Sequence, residues 1–101
     1  MLSKPVGPTG LFQLSATTGT FTATTFTVNG VQLPALKVRV ATAWQAAVIN
    51  FGNNKTANNN SDLIQPPNTI EHYKLDSTNV VTYQLMTGGS AGGYISITPV
   101  A

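Results

Sequence analysis

Residues 44–52 read Trp-Gln-Ala-Ala-Val-Ile-Asn-Phe-Gly and form the most apolar stretch of the chain. Successive side chains of a strand point to opposite faces, and here both faces would be apolar. One face would carry Trp44, Ala46 and Val48, and the other Ala47, Ile49 and Phe51. Such a strand is covered on both sides, by a second sheet or by another subunit. We therefore expect a central strand here, with Trp44 as a buried packing anchor.

Outside this stretch, apolar and polar residues alternate in short runs, which is the pattern of half-buried strands. The runs cover residues 12–16, 20–24, 26–28, 31–33, 36–41, 69–75, 81–85 and 94–98. Short strands at roughly 8–12-residue spacing are typical of sandwiches and barrels, and no segment favours a helix. The sequence therefore predicts an all-β fold, a small antiparallel β-sandwich or barrel of the jelly-roll or immunoglobulin-like type.

Two connections between the strands carry turn signals. Asn29 and Gly30 lie between two short alternating runs, and both residue types tolerate the positive φ that a type I′ hairpin turn needs. We therefore expect a two-residue hairpin loop there. The glycine-rich run from Gly88 to Gly93 is expected to close a looser hairpin before the last strand.

The chain carries very few charges. Charged residues make up 8% of its 101 residues, whereas about 25% is usual in soluble domains. A solvated monomer normally carries more charge, so this composition favours burial of part of the surface in an assembly. We expect the protein to form a homo-oligomer.

The basic residues do not predict a surface for nucleic acid. The net charge of +2 arises from five basic and three acidic residues. Lys37 and Arg39 are the only close basic pair, and their spacing of two places them on one strand face. Nucleic-acid binding needs a longer basic stripe. We interpret the pair as part of a solvated face and expect no nucleic-acid partner.

Location is constrained mainly by what the sequence lacks. The chain has no cysteine, so it forms neither disulfides nor thiolate metal sites. No run of about 18 apolar residues predicts a transmembrane helix. No apolar signal-peptide core follows residues 1–5. We expect no membrane partner, and a protein that is made and kept, or assembled, in a cytoplasm.

Residues 1–10 are rich in proline and glycine and show no alternation of their own. Proline disfavours both helix and central strand, so the sequence predicts an extended N-terminal arm in front of one domain at 11–101. The arm is either a frayed end or a segment that becomes ordered against a partner. In the second case its contacts come from Leu2, Lys4, Pro5, Val6 and Pro8.

No group of residues predicts catalysis. Gly88 to Gly92 matches the letters of G-x-S-x-G, but strands flank it where the hydrolase motif requires a strand and then a helix. His72 precedes the motif and has no second ligand at metal-binding spacing. Asp62 and Asp76 are isolated from other acids. We expect no enzyme, no cofactor and no metal site.

The aromatic residues allow two interpretations. Trp44, Tyr73, Tyr83 and Tyr94 are either a platform for sugars or bases, or anchors of the core and of an interface. We favour the second and name Trp44, Tyr73 and Tyr94 as interface candidates.

Residues 40–100 follow a recognisable order of strands and turns. It comprises Val48-x-Asn50-x-Gly52, a polar loop, Ser61-Asp-Leu-Ile64, the Pro66-Pro-Asn68 turn, Asn79-Val80, a strand ending at Leu85, a glycine-rich hairpin and Tyr94-Ile-Ser-Ile97. This order resembles the small β-sandwich virion proteins of tailed bacteriophages, namely capsid decoration or cement proteins and head-fibre modules. Those proteins usually have Pro-Gly at the turn, where this chain has Pro-Pro-Asn.

The resemblance implies a non-enzymatic virion protein on the outer capsid surface, assembled in the host cytoplasm. Its partner would be the major capsid protein, whose shell it would bind and stabilise as a dimer or trimer. Two alternatives stay open: a phage tail, fibre or neck component, and a carbohydrate-binding module that uses exposed aromatic residues.

Overall fold

The computed structural model describes residue 5 and residues 7–23, 26–28, 30–33, 37–51, 63–75, 80–86, 88 and 92–100. These residues form ten strands and no helix, which confirms the all-β prediction. The strands are β1 (Gly10–Gln13), β2 (Gly19–Thr22), β3 (Phe26–Val28), β4 (Val31–Leu33), β5 (Lys37–Ala43), β6 (Ala47–Phe51), β7 (Leu63–Gln65), β8 (Ile70–Lys74), β9 (Val80–Leu85) and β10 (Tyr94–Val100).

Two four-stranded antiparallel sheets pack against each other as a β-sandwich. The front sheet has the order β1-β10-β5-β8 and the rear sheet the order β2-β9-β6-β7, while β3 and β4 pair as a separate hairpin. Besides the connection from β8 to β9, four further connections, from β1 to β2, β5 to β6, β7 to β8 and β9 to β10, each carry the chain from one sheet to the other. Because the strands are antiparallel, all four connections lie at the same end of the sandwich, which we call the crossing end.

The core fills the space between the sheets and follows directly from strand alternation. Along β5, side chains alternate between partly buried and buried, with Val38 and Val40 pointing inward. Val40 pairs with Ile97 of β10, so the inward faces of adjacent strands combine. The buried cluster consists of Leu14, Ala23, Val38, Val40, Ala47, Ile49, Val81, Tyr83, Ile95 and Ile97.

The prediction of one strand over residues 44–51 is wrong at its start. Strand β5 ends at Ala43 in the front sheet, and β6 begins at Ala47 in the rear sheet. The intervening residues cross between the sheets, and Trp44 is 67% exposed instead of being a buried anchor. Within β6 the two-sided burial is confirmed, since Ile49 faces the core and Val48, which points the other way, is 1% exposed.

The two turn predictions have different outcomes. Strands β3 and β4 pair with Val28 opposite Val31, which confirms the two-residue hairpin loop. Gly30 has a φ of 79°, as predicted, and Asn29 lies outside the described residues. The hairpin predicted at 88–93 is wrong, because β9 belongs to the rear sheet and β10 to the front sheet. That connection crosses the end of the sandwich instead.

The described part of the predicted N-terminal arm lies beside β10 of the same chain. Pro5 forms an isolated bridge with Val100, and the hydroxyls of Thr9 and Thr98 share a hydrogen bond of 2.8 Å. Strand β1 already begins at Gly10. Binding of a partner by this segment stays a prediction.

We predict that Ile97→Ala lowers the free energy of unfolding by about 2–5 kcal/mol, because a fully buried side chain leaves a cavity. The matched control is Ile70→Ala, since Ile70 is 63% exposed whereas Ile97 is 0% exposed. The control should change stability by about 0.5 kcal/mol or less. Urea unfolding measures the stability of both variants. Equal losses of stability would contradict the placement of Ile97 in the core and of Ile70 on the outer face.

Candidate interaction surface

The outer face of the front sheet, the face directed away from the core, is organised in rows of cross-strand neighbours. The registers place alternate residues of β1, β10, β5 and β8 on this face. From the crossing end, the first row is Gln13, Tyr94 and Ala43; the second is Leu11, Ser96, Ala41 and Ile70; the third is Thr98, Arg39 and His72; the fourth is Val100, Lys37 and Lys74.

The second row carries two large exposed apolar side chains. Leu11 is 68% exposed on the edge strand β1, and Ile70 is 63% exposed on the opposite edge strand β8. Ser96 and Ala41 lie between them. Three inter-strand spacings separate the two edges by about 14 Å. The middle of this row therefore carries only small side chains.

Trp44 extends this apolar region at the crossing end. Its ring meets the ring of Tyr94 edge to face, with centroids 5.7 Å apart and an interplanar angle of 70°. Tyr94 belongs to the first row, and both side chains are exposed. The aromatic pair therefore adjoins the second row and forms one apolar patch with it.

The backbone at Trp44 is in a rare conformation. Its φ is 71°, and the N–H of Gln45 donates to the carbonyl of Ala43 at 2.9 Å. This is a γ-turn with positive φ at its centre, the more strained of the two kinds. Such strain persists only where the surroundings hold it, and it occurs often at binding sites.

Two neighbours hold the Trp44 turn in place. The N–H of Trp44 donates to Oδ1 of Asn68 at 3.0 Å. Gly93 lies on the other side, where an added Cβ would be 2.6 Å from Cβ of Gln45. A side chain at Gly93 would therefore displace the turn.

Asn68 is positioned by the turn between β7 and β8. It has a φ of 57°, which asparagine tolerates better than most residues. The carbonyl of Pro66 accepts hydrogen bonds from the hydroxyls of Thr42, at 2.6 Å, and Thr69, at 2.8 Å. The N–H of Thr69 donates to Oγ1 of Thr42 at 3.3 Å. These bonds join the β7–β8 turn to the end of β5.

A buried amide beneath this turn links the two sheets. Gln65 ends β7 in the rear sheet and is 1% exposed. Its Nε2 donates to the carbonyls of Val40, at 2.9 Å, and Thr69, at 3.2 Å. Its Oε1 accepts a hydrogen bond from the hydroxyl of Tyr73 at 3.0 Å. Two of these partners lie in strands, Val40 in β5 and Tyr73 in β8, and both strands belong to the front sheet.

The hydroxyl of Tyr73 is held in its protonated form. Burial, and secondly the charge of Glu71, raise the pKa of Tyr73 from 10.0 to about 12. Burial also raises the pKa of Tyr83. A protonated Tyr73 is required for its bond to Gln65, because Oε1 is only an acceptor.

Alkaline pH should therefore destabilise the sandwich. The unfolded phenol ionises near its ordinary pKa of 10.0, whereas folded Tyr73 keeps its proton up to about 12, so the free energy of unfolding falls as the pH rises between these values. Urea unfolding at successive pH values measures the slope. Tyr73→Phe has no proton to lose there and should show a shallower decline. If the stability of Tyr73→Phe declines as steeply as that of the wild type, Tyr73 is not the group responsible for the pH dependence.

A second prediction concerns Gln65. Gln65→Leu leaves the Tyr73 hydroxyl and backbone carbonyls without their partner, at a cost of about 1–3 kcal/mol for each buried group. It should also change the fluorescence of Trp44, the only tryptophan, by loosening the turn that carries Asn68. The control is Thr20→Val at an exposed position of the rear sheet. Unchanged stability and emission in Gln65→Leu would show that the amide does not support the site.

The structure brings together only some of the predicted interface residues. Trp44 and Tyr94 are in contact, and Pro8 is exposed. Tyr73 lies apart from them, on the inner side of β8, with its ring 5.6 Å from that of Phe51. Pro5 pairs with Val100 beside the fourth row. Leu2, Lys4 and Val6 lie outside the described residues.

Sequence reasoning missed the contributors from β1 and β8. Leu11 precedes the alternating run at 12–16, and Ile70 is an apolar residue of the run at 69–75, so neither was identified as facing solvent. His72 and Lys74 join Lys37 and Arg39 only through the pairing of β5 with β8. A signal was available in the run from Ile70 to Lys74, since His72 and Lys74 occupy alternate positions and so share one face of the strand.

The described residues contain no group of three or more His, Cys, Asp or Glu that could hold a metal ion. In the same part of the chain, no helix is long and apolar enough to span a membrane. Ser90 of the G-x-S-x-G match lies outside the described residues.

Comparisons with protein-family models, with curated proteins and with solved structures found no match for this chain. The fold and its outer face therefore define a class only: a small antiparallel β-sandwich with an exposed apolar patch on one sheet. The likeness to phage decoration proteins stays an expectation.

Proposed function

We propose that this protein is a non-enzymatic structural protein that binds another protein through the outer face of the front sheet. The observation that carries the proposal is the apolar patch formed by Leu11, Ile70, Trp44 and Tyr94. Contiguous exposed apolar groups are typical of interaction sites, and aromatic residues are enriched at the centres of protein interfaces.

The biological role we propose is that of a capsid decoration protein of a tailed bacteriophage. It attaches to the outside of a shell of major capsid protein and forms a dimer or trimer there. The low charge content of 8% supports this role, because part of the surface is then covered in the assembly. A tail, fibre or neck location would use the same face against a different virion protein.

The arrangement of polar groups favours binding over catalysis. On the outer face, Ser96 of β10 and His72 of β8 are on strands separated by β5. Two inter-strand spacings, together with an offset of one row along the strands, put them roughly 12 Å apart. A nucleophile and its base must lie within hydrogen-bond reach, so this pair does not form a catalytic centre.

A carbohydrate-binding module is the second candidate, because Trp44 is exposed beside Tyr94. Sugar rings stack on flat aromatic faces, whereas these two rings meet at 70° and do not form a common platform. The aliphatic neighbours Leu11 and Ile70 suit a protein partner better than a sugar.

Co-sedimentation with assembled capsid shells of the same phage tests the proposal. The wild type should bind at a fixed stoichiometry to shells but not to free capsid subunits. Leu11→Ser combined with Ile70→Ser should weaken binding by about tenfold or more, because apolar contact area is lost. The matched control is Leu63→Ser, an exposed leucine of the rear sheet.

Three results would overturn the proposal. One is the absence of shell binding by the wild type. Another is binding that the double variant and the Leu63→Ser control weaken equally. The third is glycan-array binding that Trp44→Ala abolishes, which would support the carbohydrate-binding candidate instead.

A further inference from the structure

The third and fourth rows of the outer face concentrate positive charge. Lys37 pairs directly with Lys74, and Arg39 pairs directly with His72. Three of the five Lys and Arg residues of the chain, together with its one histidine, therefore lie side by side. The sequence alone places only Lys37 and Arg39 on a common face.

No acidic side chain balances these groups on the described part of the face. The neighbours in β10 are Thr98 and Val100, which are neutral. Glu71 belongs to β8 but pairs with Val40, so it lies on the inner side of the sheet beside Tyr73. Like charges placed directly opposite each other in a sheet are destabilising. An arrangement that costs stability and is not neutralised internally points to a function outside the fold.

We propose that these rows bind the carboxylates of the protein partner, and that the partner presents apolar residues next to its acidic ones. This inference rests on the proposed function and specifies the chemistry of the partner. Arg39 offers a planar guanidinium suited to a carboxylate, and the two lysines offer flexible point charges beside it. A bound carboxylate relieves the repulsion between Lys37 and Lys74.

The spacing along the strands defines the arrangement that the partner needs. Adjacent rows lie about 7 Å apart, because they are separated by two residues of a strand. The apolar second row, with Leu11 and Ile70, is therefore adjacent to the third row, with Arg39 and His72. A partner surface with apolar residues roughly 7–14 Å from its carboxylates fits the exposed side chains of these rows, whereas Thr98 and Val100 of β10 are buried.

The same spacing disfavours single-stranded nucleic acid. Its recognition on a sheet combines aromatic rings that stack on bases with cations that contact the adjoining phosphates. Here Ala43, the neighbour of Tyr94, is four residues from Arg39, which is about 14 Å along the strand. The row between them holds aliphatic groups, which do not stack on bases.

The experiment measures binding of the full-length protein to three fluorescent probes by anisotropy. The first is a peptide with two leucines followed, four residues later, by two glutamates. The second replaces the glutamates with glutamines. The third is a single-stranded oligonucleotide. We expect the first to bind at least about tenfold more tightly than either of the others, and we expect its binding to weaken with salt.

Two double variants distinguish weaker binding caused by lost charge from weaker binding caused by unfolding. Arg39→Gln with Lys74→Gln should weaken binding of the glutamate peptide and of capsid shells by about tenfold or more. Arg39→Lys with Lys74→Arg keeps both charges and should retain most of the binding. The glutamine variant should melt no lower than the wild type, because it removes repulsion between neighbours.

The outcomes distinguish this inference from the proposed function. Shell binding that the glutamine variant leaves unchanged overturns the carboxylate site but keeps the structural role. Binding of the glutamate peptide without shell binding keeps the carboxylate site but overturns the structural role. Equal affinity for the glutamine peptide, or tighter binding of the oligonucleotide, overturns the carboxylate site.

Discussion

The buried amide of Gln65 is the interaction on which the geometry of the crossing end depends. It reaches from the rear sheet to Val40 and Tyr73 of the front sheet, and both of its polar atoms are satisfied. A buried amide without partners would be costly, so the two sheets have one favourable alignment at this point. Apolar packing alone fills the core but tolerates small shifts of one sheet over the other.

The exposed patch follows from this alignment. With Gln65 in place, the β7–β8 turn presents Asn68, which accepts the N–H of Trp44 and supports its positive φ of 71°. Gly93 leaves room for the turn on the other side. These contacts thus keep the backbone of Trp44 in its strained conformation. In this conformation the ring of Trp44 is exposed to solvent beside Tyr94.

The sequence predicted the parts of this structure that depend on local patterns. Alternation along β5 identified its inward residues, and Asn29-Gly30 identified the hairpin, because side-chain direction and turn conformation are local properties. Trp44 was misplaced because its alternation with Ala46 and Val48 is the same whether the chain continues straight or crosses between sheets. The basic rows could not be predicted, since His72 and Lys74 reach Arg39 and Lys37 only through a pairing between strands some 30 residues apart. Gln65 carried no signal of burial, because its partners, Val40 in β5 and Thr69 and Tyr73 at β8, meet it only in the folded chain.

We propose that the outer face of the front sheet is the surface that contacts the partner. A cryo-electron microscopy map of shells decorated with this protein would show which face lies against the shell. We expect Leu11, Ile70 and Arg39 to lie against the capsid and the rear sheet to face solvent. A map in which the rear sheet contacts the shell, with Trp44 and Ile70 in solvent, would contradict this proposal.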